Sequence, residues 1–235
     1  MAWYSRINDY LLSLDFVRSP NKHTLYIREV EDDVMIISLY VDDLLVIGSK
    51  HDQVEEFKKS MHSEFERTDL GEMSYFLGME IDQDADGIFV NQRKYASEVL
   101  KKFCMENCKP MDLPSVPNMK LSKSDEPEKV DEGLYKSLIS YLLYLTATKP
   151  DIMYATSLLS RFMGQPTETH FKTAKRVLRY VKGSTDFGVR LRRSEDFKLV
   201  GFSDSDWAGS IDDMRSTSGY AFFLNCGAIC WLSKK

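Results

Sequence analysis

Between Val34 and Gly48 the chain is apolar almost without interruption, and the interruption is the adjacent carboxylates Asp42-Asp43. A run of this length is too short, and too charged at its middle, to span a bilayer, which takes roughly 20 apolar residues. It is long enough for two strands folded back on each other, Val34 to Val41 and Leu44 to Gly48, with the aspartates at the reversal. The first of these strands, apolar on both faces, is expected to be fully buried. Thr24 to Val30 reads as a strand before it, with Glu31-Asp32-Asp33 as the intervening turn, so three consecutive antiparallel strands follow.

Any turn between apolar strands needs polar residues, and that alone could account for Asp42-Asp43. Yet Asp-Asp is a poor tight-turn pair beside Asn-Gly or Asp-Gly, because a type I′ turn wants positive φ at both central positions. Adjacent carboxylates also repel unless a cation lies between them and further ligands. Phosphoryl transfer by paired Mg²⁺ ions uses carboxylates presented from a rigid support, and a hairpin tip is such a support. A hairpin tip cannot supply the whole ligand set.

Around this hairpin the periodicity predicts an α+β chain. Trp3, Ile7, Leu11 and Leu14 have helical spacing, as do Val54, Phe57, Met61 and Phe65. Tyr75 to Ile81 and Ile88 to Val90 bracket a turn-rich connection, and Tyr95, Val99, Leu100 and Phe103 mark another helix. Pro110, Pro114, Pro117 and Pro127 punctuate an aperiodic stretch, so residues 109–130 are expected to be a linker between parts 1–108 and 131–194. Leu134 to Leu145 is apolar nearly all round, as a helix buried on most sides is, and Pro150 and Pro166 open two more helices. Strands at Phe187 to Leu191, Lys198 to Ser203, Gly219 to Leu224 and Ala228 to Leu232 read as a closing meander, with residues 195–235 as a last, separate part.

The residues that carry the chemistry also carry a family resemblance. Tyr40-Val41-Asp42-Asp43 within its apolar flanks is similar to the metal-binding hairpin of reverse transcriptases of copia-type LTR retrotransposons. The resemblance runs on through Tyr75-Phe76-Leu77-Gly78-Met79-Glu80-Ile81, Lys149-Pro150-Asp151-Ile152 and Arg176-Val177-Leu178-Arg179-Tyr180-Val181-Lys182-Gly183. It ends in Ser203-Asp204-Ser205-Asp206-Trp207-Ala208-Gly209 and Arg215-Ser216-Thr217-Ser218-Gly219-Tyr220, which resemble the opening of a ribonuclease H. It implies the C-terminal part of a polymerase palm, a helical thumb or connection, and the first strands of a ribonuclease H-like sheet. It implies Asp42 as principal Mg²⁺ ligand, Asp43 as a lesser one, and Asp204 as the first ribonuclease H carboxylate, with Asp206 a weaker candidate. The partners implied for the intact enzyme are an RNA/DNA template-primer and deoxynucleotides. An upstream palm aspartate and later ribonuclease H carboxylates of the family have no counterpart in these residues, so the chain alone is expected to be catalytically incomplete. Its last strands are expected to be weakly ordered or to associate.

Formal net charge is -5, which argues against a surface built throughout to hold nucleic acid. One stretch departs from this. On the helix from Thr167 to Lys182, the cations Lys172, Lys175, Arg176, Arg179 and Lys182 recur opposite the apolar side, with Arg190, Arg192 and Arg193 after them. This is either a solvated face or a phosphate-binding one. A rival to the polymerase reading follows, in which a non-catalytic remnant keeps the helical middle as a nucleic-acid- or protein-binding module. Tyr135, Tyr141 and Tyr144 read as core, the histidines have no ligand spacing, and the pairs Cys104/Cys108 and Cys226/Cys230 read as free thiols in a reducing compartment. The start of the chain lacks the order of a secretory signal, so an intracellular place, cytoplasmic or nuclear, is expected.

Overall fold

The computed structural model describes residues 2–66, 68–117, 119–123 and 130–235. They form an α+β chain with antiparallel sheets, divided into two compact units, Met1–Gly71 and Glu72–Lys235. No helix among the described residues is long and apolar enough to cross a membrane.

The first unit contains α1 (Ala2–Ser13), β1 (Val17–Arg18), β2 (Leu25–Val30), β3 (Asp33–Tyr40), β4 (Asp43–Gly48) and α2 (His51–Glu64). The strands form an antiparallel sheet in the order β1-β2-β3-β4. Both helices cover the same face, because Ile7 and Leu11 of α1 and Phe57 and Met61 of α2 share one core with Tyr26, Met35, Ile37 and Leu39. The expectation that the strand from Val34 is fully buried is corrected by this arrangement. Met35, Ile37 and Leu39 are buried, whereas Val34, Ile36 and Ser38 are not, because the helices cover one face alone. The row Val17, Ile27, Ile36, Ile47 runs across all the strands on the other face.

The second unit begins with β5 (Tyr75–Phe76), β6 (Met79–Asp84), β7 (Gly87–Asn91) and α3 (Arg93–Lys102). What reads in the sequence as one strand, Tyr75 to Ile81, is two. Leu77 and Gly78 take φ of 49° and 71°, the two positive values of a type I′ turn, and the chain reverses there. Next come α4 (Glu132–Leu145), a 3-10 turn (Pro150–Ile152), α5 (Met153–Ser160) and α6 (Glu168–Gly183), which with α3 enclose the main core. Helix α4 is less buried than its composition implies. Leu134, Leu143 and Tyr144 are exposed, because its neighbours pack on the side of Tyr135, Leu138, Ile139 and Leu142.

After α6 come β8 (Gly188–Arg192), β9 (Leu199–Ser205), β10 (Ser218–Leu224) and β11 (Gly227–Lys234). Strand β8 does not belong to a meander with the rest. It completes the sheet β5-β6-β7-β8, in register Val90↔Val189, and Arg190 reaches Asp84 at 2.5 Å. The remaining strands form a separate sheet, β11-β10-β9, docked through β11. Trp231 Nε1 donates to the carbonyl of Thr146 at 2.9 Å, and Ser157 Oγ donates to that of Ser233 at 2.7 Å. Gly227 lets β11 approach β8, since a Cβ there would lie 2.7 Å from the carbonyl of Arg190.

The described residues of the stretch expected as a linker are packed rather than free. Met119 and Leu121 join the main core, and the Met111 amide donates to the carbonyl of Arg179 at 3.2 Å. Residues 124–129 of that stretch lie outside the described residues. The division of the chain at Gly71 falls well before it.

Candidate carboxylate site and basic helix

The register of β3 and β4 decides what the aspartates do. Tyr40 pairs with Asp43, so the loop residues are Val41 and Asp42, and Asp43 is already strand. The Ser49 amide donates to the carbonyl of Val34, so the hydrogen-bonded pairs are the even-numbered β3 residues, down to Tyr40↔Asp43. A two-residue loop closed by such a pair is the tightest hairpin turn. Its positive φ falls on Val41, at 52°. The expectation that the turn residues are Asp42-Asp43 is therefore off by one residue, and the strained position belongs to a β-branched residue, where positive φ is a genuine outlier.

At this tip Val41 is 73% exposed and Tyr40 47%, and Asp42 and Asp43 are both exposed. The side chains of Asp42 and Asp43 leave from neighbouring positions of a rigid two-strand support. Among the described residues, no group of three or more His, Cys, Asp or Glu side chains is placed to hold a metal ion. Two adjacent carboxylates alone do not fit the donor set of a paired-Mg²⁺ centre, which draws further ligands from elsewhere.

Asp204 belongs to the second unit, near the end of β9 and opposite Gly219. It is exposed, and its Oδ1 accepts the amide of Ser205 at 2.9 Å. Asp206 has a different occupation. Its Oδ1 accepts the amides of Thr217 at 2.8 Å and Gly209 at 3.3 Å, which ties together the two ends of the loop between β9 and β10. An open groove beside these carboxylates is lined by Pro150, Met153, Tyr154, Asp204 and Trp231.

The five cations singled out on α6 divide into two sets. Lys172, Lys175 and Lys182 are exposed. Lys172 stands 3.8 Å from Glu168 and Lys175 lies over the ring of Phe171. Arg176 and Arg179 are half-buried. Arg179 Nε donates to the carbonyl of Lys109 at 2.7 Å, and the packed segment after α3 covers this part of the helix.

Three buried polar groups carry weight that spacing did not signal. Lys149, wholly buried, donates to the carbonyls of Ser184 at 2.5 Å and Phe187 at 3.0 Å, joining the end of α6 to the start of β8. Burial pushes its pKa below the usual lysine range, against the opposing pull of Asp151 and Asp186. Gln92, also buried, accepts from Thr148 Oγ1 at 2.8 Å and donates to the carbonyl of Tyr144 at 3.2 Å. His170 accepts the Thr167 amide on Nδ1 at 3.0 Å, as the third residue of a capping box, and stacks on Phe162 at 4.0 Å. The spacing Thr167-x-x-His170 was the available signal, in a box that usually carries Glu or Gln. Tyr135 is core as expected, with its hydroxyl on the carbonyl of Leu159 at 2.9 Å, whereas Tyr144 is exposed and packs edge-on to Tyr95. All four cysteines are free.

The chain that adopts this geometry is similar to known proteins. The profile of the reverse transcriptase (RNA-dependent DNA polymerase) family matches residues 1–117. The chain is 36% identical over 234 residues to the retrovirus-related Pol polyprotein from transposon RE1 of Arabidopsis thaliana, a match covering 100% of this chain and 16% of that protein. It is 33% identical to the Pol polyprotein from transposon TNT 1-94 of Nicotiana tabacum, over 99% of this chain and 18% of that one. A mitochondrial protein of Arabidopsis thaliana is 39% identical over 86% of this chain and 83% of its own length. The chain thus spans less than a fifth of the polyproteins it resembles. No solved structure matches it.

Proposed function

Since this chain belongs to the reverse transcriptase family, in the branch of copia-type retrotransposon Pol polyproteins, we propose that it presents the carboxylate hairpin of such a polymerase and holds template-primer without extending it unaided. The functional parts are a partial palm at 1–108, a connecting segment at 109–130 whose described residues pack against the helices, a helical thumb or connection at 131–194, and the first strands of a ribonuclease H-like sheet at 195–235. The observation that carries the reading is the exposed pair Asp42-Asp43 on a strained two-residue hairpin tip. In the intact enzyme these carboxylates bind Mg²⁺ beside the primer end and the incoming deoxynucleotide, Asp42 as the principal ligand. Asp204 has the corresponding place in the ribonuclease H part.

Unaided inactivity follows from the donor set. Paired-metal chemistry needs ions held by several ligands at once, and the described residues bring no third carboxylate to the pair. Template-primer binding is assigned to the exposed lysines of α6, Lys172, Lys175 and Lys182, whereas Arg179 holds the segment after α3 and Arg176 is half-buried. Neutralising the three lysines lowers primer-template retention, and lowers its salt slope by about one unit for each phosphate that no longer meets a cation.

Primer extension by the purified chain in Mg²⁺ tests the catalytic part. No extension is expected, and extension that is abolished by Asp42→Asn would refute it. Retention on a primer-template at low salt, unaffected by Asp42→Asn and abolished by neutralising Lys172, Lys175 and Lys182, is the expected binding result. Retention unchanged by that triple substitution would place the binding surface elsewhere.

A further inference from the structure

After α3 the chain crosses α6 as a strap, and from Lys109 to Pro117 none of its residues is buried. Leu113 is 51% exposed and Val116 43%. Few contacts hold it down. The Met111 amide donates to the carbonyl of Arg179 at 3.2 Å, Arg179 Nε donates to the carbonyl of Lys109 at 2.7 Å, and Pro110 lies against Gly183. Segments with so few buried contacts open at small cost. Pro110, Pro114 and Pro117 stiffen this one, so it lifts as a piece. Its two ends stay fixed, because Cys108 before it and Met119 and Leu121 after it pack into the main core.

Under the strap is a cation with nothing to hold. Thr173, Arg176, Arg179 and Gly183 follow one another at helical spacing and share one side of α6. Gly183 and Arg179 meet the strap, and Thr173 lines an open hollow together with Ser115, Val116 and Pro117. Arg176 lies between them. It is half-buried, and its Nε is buried without a hydrogen-bond partner. A buried donor left unmade is costly, the more so on a charged group. The closed strap therefore carries a penalty that opening relieves.

We propose that the strap from Lys109 to Pro117 is a cover that lifts to admit the phosphate backbone of a nucleic acid to Arg176 and Arg179. The neighbouring lysines identify the occupant. Lys172 stands one turn before Arg176 and Lys175 one turn before Arg179, and side chains four apart on a helix adjoin. A backbone held on these lysines therefore reaches the rim of the strap. Two guanidiniums three residues apart offer forked donors suited to phosphate oxygens. Lifting the strap frees Arg179 from the Lys109 carbonyl as it uncovers Arg176. This inference rests on the binding role given to the α6 lysines.

Hydrogen exchange at the Met111 amide reads the strap, since that amide is bonded to Arg179 only while the strap is down. A saturating RNA/DNA primer-template duplex should speed this exchange about ten-fold or more. Simple coverage of the lysines would slow it or leave it alone. Arg176→Met keeps the bulk and removes the orphaned donor, so in the free chain it should slow Met111 exchange on the order of ten-fold. The same variant should weaken duplex retention and lower its salt slope by about one unit. Gly183→Ala sets a Cβ 3.1 Å from Pro110. It should raise both Met111 exchange and duplex affinity, and Arg176→Met should cancel the gain in affinity. A duplex that is retained without faster exchange at Met111 overturns this inference and leaves the lysine reading standing. No retention at low salt overturns both. Inorganic phosphate that opens the strap by itself overturns the assignment to a nucleic-acid backbone.

Discussion

Replacing Val41 by glycine should stabilise the hairpin tip, although it removes a side chain. Val41 has φ of 52° at the first loop position, where glycine is the favoured residue of a type II′ turn. A non-glycine residue held there carries strain of about 1–3 kcal/mol. Against the exchange stands the larger backbone entropy that glycine loses on folding, about 0.5–1 kcal/mol. Burial of the valine contributes little, because Val41 is 73% exposed. The net gain is about 1 kcal/mol, which corresponds to a roughly five-fold change in an opening equilibrium. Global unfolding is a poor reporter for a chain of two compact units. Hydrogen exchange at the amides of Tyr40 and Asp43, the pair that closes the loop, reads the tip directly. Both should exchange about five-fold more slowly in Val41→Gly than in the wild type. Val34→Gly, at an ordinary β3 position, should accelerate exchange at its own end of the hairpin, because there glycine relieves nothing. Exchange at Tyr40 and Asp43 that is unchanged or faster in Val41→Gly would refute the reasoning from strain.

Lys149→Met should leave the carbonyl of Phe187 without its donor and that of Ser184 with the Phe187 amide alone, a cost of about 2 kcal/mol seen as a lower urea midpoint of the second unit. An unchanged midpoint would mean that water takes the place of the ammonium. His170→Ala should cost about 1–2 kcal/mol by removing both the cap and the stack on Phe162. His170→Gln, which keeps an acceptor at that position, should recover part of it in the same thermal denaturation. Acid should weaken the sheet at its loop. Lys235 and Ser210 hold the Asp213 carboxyl down to about 2 from 3.8. A carboxylate depressed in the folded chain contributes stability above its unfolded pKa and loses it as pH falls through the folded one. The thermal advantage of wild type over Asp213→Asn should therefore be present at pH 5 and fade between about pH 4 and 2. An advantage that persists at pH 2 would contradict the Lys235 ion pair.

The fold is legible where one residue type at one period decides the outcome. Ile7 and Leu11, or Phe57 and Met61, announce helices with a single buried side, and that is where they lie. It is less legible where a decision depends on a distant partner. Nothing local distinguishes the strand after Phe187 from those that follow it, yet it joins β7, nearly a hundred residues earlier, through Arg190 and Asp84. Proline-rich composition between Lys109 and Lys129 suggests a free linker, but Met119 and Leu121 find room in the core left by α4, α5 and α6. The reversal read at Asp42-Asp43 falls one residue late for a related reason. Local preference rejects Val41 as a turn residue, and what overrules it is the cross-strand register from Met35↔Gly48 to Tyr40↔Asp43.

The carboxylates show how backbone geometry divides labour between chemically equal groups. Asp206 spends an oxygen on two amides that close its loop, so it is held in place and poorly able to serve an ion. Asp204, two residues earlier and on the strand, accepts a single neighbouring amide and keeps its other oxygen exposed. The difference lies in the backbone: at 206 the chain has left the strand and its loop amides turn back on the carboxylate, whereas at 204 the strand still holds the other neighbouring amides in its ladder.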